Sequence, residues 1–224
     1  MSLWIKICAN TSLADARLVS DAGADAVGFV FAKSPRQVTI DQVEVITPEL
    51  PFSIEKIGVF VDSTLEEISA TVKACGLTGV QVHQAGSDDL TLRLRDRFGT
   101  TLRILRVLHY EPNFSEQLVS FSADQNADAV LVDSRTATAV GGTGIRFDWD
   151  TAAPIFRGRG VRLVAAGGLN PRNVGEAIEK LHPWGVDVAS GVEAAPGRKD
   201  PEKVRLFIEY ARRAWQSLAQ SEFS

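Results

Sequence analysis

Eight short apolar runs recur along the chain with amphipathic stretches between them, and no other feature narrows the fold so far. The runs are LWIKIC (3–8), AVGFVF (26–31), EKIGVFV (55–61), GVQVH (79–83), LRILRVL (102–108), DAVLVD (128–133), VRLVAA (161–166) and VDVAS (186–190). They are rich in Val and Ile and only a few residues long, which predicts strands. The intervening stretches carry helix punctuation. TSLADARLVSDAG offers Ser12 with Asp15 as a capping pair and Gly23 just past the end. STLEEISATVKACG repeats that grammar with Ser63, Glu66 and Gly76. NPRNVGEAIEKL offers Asn170 as cap and Pro171 at the first helical position. A last amphipathic helix is expected over about 200–218.

Strict alternation of eight strands with about eight helices calls for parallel strands joined by crossover helices. The fold class expected is α/β: a single-domain (β/α)8 TIM barrel over 1–224 with eight parallel strands. An open doubly wound sheet is the alternative. An internal echo favours the barrel. GADAVGFV (23–30), NADAVLVD (126–133) and GVDVASGV (185–192) share one pattern, with GLTGVQVH (76–83) a weaker copy, and all fall on even-numbered strands.

Composition excludes several function classes. With 224 residues, 45% hydrophobic and 23% charged, the chain is of ordinary globular make-up. Its net charge of −4 and lack of a basic stripe argue against nucleic acid. No run approaches the roughly 18 residues of a membrane span, and the N-terminus lacks a signal-peptide pattern. Two cysteines without metal spacing fit a reducing compartment, so a cytoplasmic protein is expected. There is no HExxH, no dinucleotide GxGxxG after a strand and no Walker loop, so neither metal nor cofactor is expected.

In a parallel barrel the site lies at the C-terminal ends of the strands. Cys8, Lys33, Arg36, Asp62, His83, Asp133, Gly167, Gly168, Ser190 and Gly191 fall there. Three glycine loops on the later strands, GGTG (141–144) with Gly142 and Gly144, AAGGLNP (165–171) and ASGVE (189–193), suit a phosphate. Such glycines also serve ordinary turns. Cys8 shares a strand face with Lys6, whose ammonium would lower the thiol pKa and make a base or nucleophile. The plainer alternative is a small buried hydrophobe. Asp133 ends an apolar strand, which would push its carboxyl toward the protonated form and suit a general acid. Arg36, in a loop stiffened by Pro35, could grip a carboxylate through two parallel bonds. His83 is expected to face the site, His109 and His182 to lie at the surface. Cys75, at a helix end, receives no role.

Taken together, KIC (6–8), GADAVGFVFAKSPRQV (23–38), GVFVD (58–62), VQVH (80–83), LVDS (131–134), GGTGIRFDW (141–149), AAGGLNPRNV (165–174) and GVDVASGVEAAPGRKDPEKV (185–204) resemble the phosphoribosylanthranilate isomerases of tryptophan biosynthesis. The resemblance runs from first strand to last helix. It implies an Amadori rearrangement of N-(5′-phosphoribosyl)anthranilate to 1-(2-carboxyphenylamino)-1-deoxyribulose 5-phosphate. It implies Cys8 as general base, Asp133 as general acid, Arg36 on the substrate carboxylate, and phosphate contacts from Gly142, Gly144, Gly168, Ser190 and Gly191. The partner expected is a phosphorylated small molecule, with the chain a monomer or homodimer. The chain departs from the family pattern at Ala9 and Asn10, where glycine and an aliphatic residue are usual, at Gln84 and at Ala189. Two alternatives stand beside this reading. One is another aldose–ketose isomerase, such as that of histidine biosynthesis, which resembles this chain less because it carries aspartate on its first strand. The other is a non-catalytic phosphate-ligand binding barrel.

Overall fold

Eight parallel strands close on themselves in chain order: β1 (Trp4–Ile7), β2 (Ala26–Val30), β3 (Glu55–Val61), β4 (Gly79–His83), β5 (Arg103–His109), β6 (Ala129–Asp133), β7 (Leu163–Ala165) and β8 (Gly185–Val188). In the computed structural model, which describes residues 2–83, 89–110, 116, 118, 124–134, 148–157 and 160–221, β8 returns to β1 with Lys6 opposite Asp187. Each apolar run identified in the sequence corresponds to one strand: the runs 55–61 and 79–83 coincide with β3 and β4, and the others differ by a residue or two at an end. The helices described are α1 (Leu13–Asp21), α2 (Ile40–Glu44), α3 (Leu65–Ala74), α4 (Asp89–Phe98), α5 (Trp149–Arg157), α6 (Val174–Leu181) and α7 (Pro201–Ser221). Much of the β5–β6 connection lies outside the described residues, as do Gln84, Gly142 and Gly144.

Helix starts show which capping frame prevails. Ser12 accepts from Asp15 N at 3.1 Å, as expected, and Gly23 follows α1 with φ 89°. For α3 the expected frame is one residue early. Thr64 and Glu67, not Ser63 and Glu66, form the reciprocal box, with bonds of 2.8 and 3.2 Å. That frame turns Leu65, Ile68 and Val72 into the core. The expected start of α6 also moves. Asn170 and Pro171 open a turn, and the helix begins at Val174 with Asn173 as cap. The Asn173 amide instead donates to Gly168 O at 3.0 Å, so it braces the preceding loop.

Strand alternation divides the apolar core in two. Leu3, Ile5 and Ile7 pack outward under the helices, while Trp4 joins Ile57, Leu105, Leu131 and Val164 along the barrel axis. At the N-terminal end Trp4 stacks on Trp184 at 5.2 Å, with Arg103 and Arg162 each 5.4 Å from the Trp184 ring. Above this plug the barrel carries a polar layer where branched apolar residues are the rule. Lys6 Nζ, fully buried, donates to Gln81 Oε1 and Asp187 Oδ1, both at 2.9 Å.

The echo on the even strands has a physical cause. Asp25, just before β2, accepts from Ile5 N at 2.7 Å. Asp128, just before β6, accepts from Ile104 N at 2.7 Å. Thr78, just before β4, accepts from Lys56 N at 2.8 Å. Each pins the backbone of the preceding strand. The copy on β8 is not equivalent: Asp187 lies inside the strand and faces the axis, where it meets Lys6.

Candidate active site

A cavity of about 230 Å³ opens at the C-terminal ends of the strands. Cys8, Lys33, Arg36, His83, Asp133, Gly168, Ser190 and Gly191 all line it. One mouth thus gathers every described residue that the sequence nominated for acid, base or ligand contact, from β1, β2, β4, β6, β7 and β8. Asp62 is the exception among strand-end residues. It is exposed, takes a φ of 50°, and lies outside the cavity lining.

Cys8 follows β1 and is only 6% exposed, and the little surface it keeps belongs to the cavity. Its backbone is held from both sides. Cys8 N donates to Val188 O at 2.8 Å, and Lys199 Nζ donates to Cys8 O at 2.5 Å. The Lys6 ammonium acts electrostatically on the thiol. The expected lowering of its pKa does not prevail. Burial is the largest influence and pushes the thiol up, with the Asp187 charge adding to it. The Lys6 and Lys199 ammoniums pull the other way and reduce the rise without reversing it. Lys6 itself is disfavoured as a cation by burial, but Asp187 and Cys8 outweigh that and hold its pKa above the usual value. The other cysteine is inert. Cys75 caps α3, donates to Ile40 O at 3.7 Å, and burial pushes it to about 11.

The turn after Cys8 explains the departures in CANT. Ala9 takes φ 64°, the left-handed region that glycine enters freely and alanine does not. Asn10 offsets part of this. Fully buried, it donates through Nδ2 to Ile7 O at 2.8 Å and Gly28 O at 3.2 Å, fastening the end of β1 to β2. Gly28 itself was not nominated by the sequence, yet it makes room for the thiol. A Cβ there would lie 2.8 Å from Cys8 Sγ and 3.0 Å from Lys6 Cε. The signal was present: a lone glycine within a strand run marks a close approach.

Asp133 ends β6, is 8% exposed, and stands opposite His109 in the β5–β6 register. His109 is therefore not the surface residue expected. It ends β5, its Nδ1 is buried, and its ring lies 6.0 Å from that of His83. His83 in turn contacts Gln81 Nε2 at 3.1 Å, which joins the mouth to the Lys6 layer. The glycine loop after β7 crowds Asp133. Gly167 and Gly168 take φ 76° and 66°, and a Cβ on Gly167 would lie 2.6 Å from Asp133 Oδ1. A Cβ on Gly191 would strike Leu169 O, so the loops after β7 and β8 meet backbone to backbone.

Arg36 is less open than a loop arginine would be. Its Nε and Nη2 hold both oxygens of Glu193 at 2.7–3.0 Å. Glu193 belongs to a hairpin that the sequence reading missed, β9 (Glu193–Ala195) and β10 (Arg198–Lys199). The Pro196-Gly197 dipeptide between them, with Gly197 at φ 76°, was its signal.

Among the described residues no group of three or more His, Cys, Asp or Glu side chains is placed to hold a metal ion. None of the described helices is long and apolar enough to cross a membrane.

Comparison with known proteins places this geometry. A family model described as N-(5'phosphoribosyl)anthranilate (PRA) isomerase matches residues 5–210. The N-(5'-phosphoribosyl)anthranilate isomerase of Pelobacter propionicus is 44% identical over 209 residues, 93% of this chain and 95% of that protein. The enzyme of the same name from Chlorobaculum tepidum is 39% identical over 220 residues, 96% and 97% of the two chains. Among solved structures, the phosphoribosyl anthranilate isomerase of Thermotoga maritima superposes with a TM-score of 0.85 at 35% identity, covering 94% of this chain and 99% of that one. A complex of such an isomerase with reduced 1-(o-carboxyphenylamino)-1-deoxyribulose 5-phosphate gives 0.81 at 33% identity, covering 94% and 99%.

Proposed function

This chain belongs to the N-(5'-phosphoribosyl)anthranilate (PRA) isomerase family, and on that footing we propose that it converts N-(5′-phosphoribosyl)anthranilate to 1-(2-carboxyphenylamino)-1-deoxyribulose 5-phosphate in tryptophan biosynthesis. Asp133 serves as general acid and Cys8 as general base. One observation carries this assignment of roles: a thiol from the end of β1 and a carboxyl from the end of β6 line the same small cavity as a guanidinium and two glycine loops.

The reaction needs one proton given and one taken. Asp133 protonates the furanose ring oxygen while the anthranilate nitrogen lone pair pushes out the C1′–O bond. The ring opens to a protonated Schiff base. Cys8 thiolate removes the proton from C2′, and the released electron pair neutralises the iminium nitrogen as the enolamine forms. Tautomerisation gives the ketone. The buried Lys6 favours the thiolate that this step uses, and Asp187 and Gln81 hold that ammonium in place. Arg36 takes the anthranilate carboxylate. The loops carrying Gly168, Ser190 and Gly191 take the phosphate; Gly142 and Gly144, whose phosphate role the family resemblance implies, lie outside the described residues. Fixing both ends of the substrate supplies the positioning part of catalysis.

The test is steady-state turnover of PRA by the purified chain, followed as loss of substrate fluorescence. Turnover with product of the stated structure supports the reading. Tight binding of PRA without turnover would make the protein a ligand-binding barrel instead.

A further inference from the structure

The β9–β10 hairpin brings two buried charges to the back of the active site, and the mechanism above uses neither. Glu193, with a side chain 4% exposed, receives Arg36 Nε at 2.9 and 3.0 Å and Arg36 Nη2 at 2.7 Å. It also accepts from Gly197 N at 3.2 Å and Lys199 Nζ at 3.5 Å. Lys199, with no exposed side-chain surface, reaches on to Cys8 O at 2.5 Å and Ala189 O at 3.5 Å.

We infer that Glu193 is a positioning residue that aims Arg36 at the substrate carboxylate. A guanidinium carries five N–H donors in a planar fork and can be gripped on two edges at once. Glu193 occupies the Nε–Nη2 edge, so the donors of Nη1 and the second Nη2 hydrogen are left for the cavity that Arg36 lines. A long side chain on a loop would otherwise have to be ordered by the substrate, at a cost in affinity. Charge also balances in favour of an incoming anion. The Lys199 ammonium neutralises Glu193, so the cluster keeps the single positive charge of Arg36. This inference rests on the proposed contact between Arg36 and the anthranilate carboxylate.

The experiment separates the two claims. kcat and KM are measured for PRA and for N-(5′-phosphoribosyl)aniline, which lacks the carboxylate, with wild type, Glu193→Gln, Arg36→Met and the double variant. Glu193→Gln is expected to raise KM for PRA about 10-fold, the usual scale for one charge-assisted bond, with kcat within about twofold. The aniline substrate should change less than about threefold, and Glu193→Gln should add nothing once Arg36 is Met. If Arg36→Met penalises PRA selectively but Glu193→Gln does not, the positioning role is wrong and the arginine contact stands. If Arg36→Met affects both substrates alike, the arginine contact fails and the inference falls with it. Equal losses on both substrates from Glu193→Gln would also overturn it, as a structural role would produce. Should Glu193→Gln not fold, Glu193→Asp keeps the charge and must show the same carboxylate-selective rise in KM, and its absence refutes the inference.

Discussion

Adding one methyl group at Gly28 tests how tightly the fold holds its thiol. Gly28 lies inside β2, facing the axis between β1 and β3. An ideal Cβ there comes within 2.8 Å of Cys8 Sγ, 3.0 Å of Cys8 Cα and 3.0 Å of Lys6 Cε. Ordinary contact needs about 3.5–4.0 Å, so something must yield by roughly 1 Å. Lys6 cannot swing away without leaving Asp187 and Gln81. The Cys8 backbone is tied to Val188 and Lys199. The sulfur or the β1–β2 pairing therefore moves. Overpacking of this kind costs about 1–3 kcal/mol, which in a chain of this size lowers Tm by about 2–12 °C. Displacing a reacting group by about 1 Å costs on the order of 10²-fold in rate. Gly28→Ala should thus lower kcat on PRA by about that factor, with KM held by the phosphate and carboxylate contacts, and calorimetry should show the loss in Tm. A variant with kcat within about twofold of wild type and an unchanged Tm would refute the reasoning.

Two further substitutions probe the same corner. Ala9→Gly removes a left-handed strain of about 1–2 kcal/mol and gives back about 0.4–1 kcal/mol through the freer unfolded chain. The net gain of up to about 1.6 kcal/mol should raise Tm by up to about 6 °C, and a fall in Tm would contradict the strain at φ 64°. Lys6→Met removes an ammonium that opposes the upward push on Cys8. Thiolate then forms only at higher pH, so the acidic limb of the kcat profile should move to higher pH. The stranded Asp187 should cost about 3–5 kcal/mol of stability. An acidic limb left in place would show that Lys6 has no part in ionising the thiol.

Sequence and structure agree where a residue acts through local pattern. The β strands were legible because β-branched runs of about six residues alternate with capped helices, and closure followed from their number. That Cys8, Arg36, His83, Asp133, Gly168, Ser190 and Gly191 share one cavity was legible because strand ends form the mouth of a barrel. What escaped notice depends on partners far apart in the chain. Glu193 finds Arg36 across 157 positions, and Lys199 finds Cys8 across 191. Asp187 resembled Asp25 in sequence, but its register turns it inward onto Lys6, 181 positions away. The thiol pKa was misjudged because one adjacent ammonium was visible, whereas burial and the Asp187 charge, which outweigh it, required the closed barrel. His109 was misplaced because the strand runs one residue past the apolar run that announced it.

The account turns on one acid and one base working from opposite sides of a bound sugar. Turnover of PRA by Cys8→Ala and Asp133→Asn, each measured beside wild type at saturating substrate, tests that most directly. Both variants should lose on the order of 10²-fold or more in kcat while still binding PRA, as expected for groups that transfer the proton themselves. Wild-type kcat in either one would contradict it.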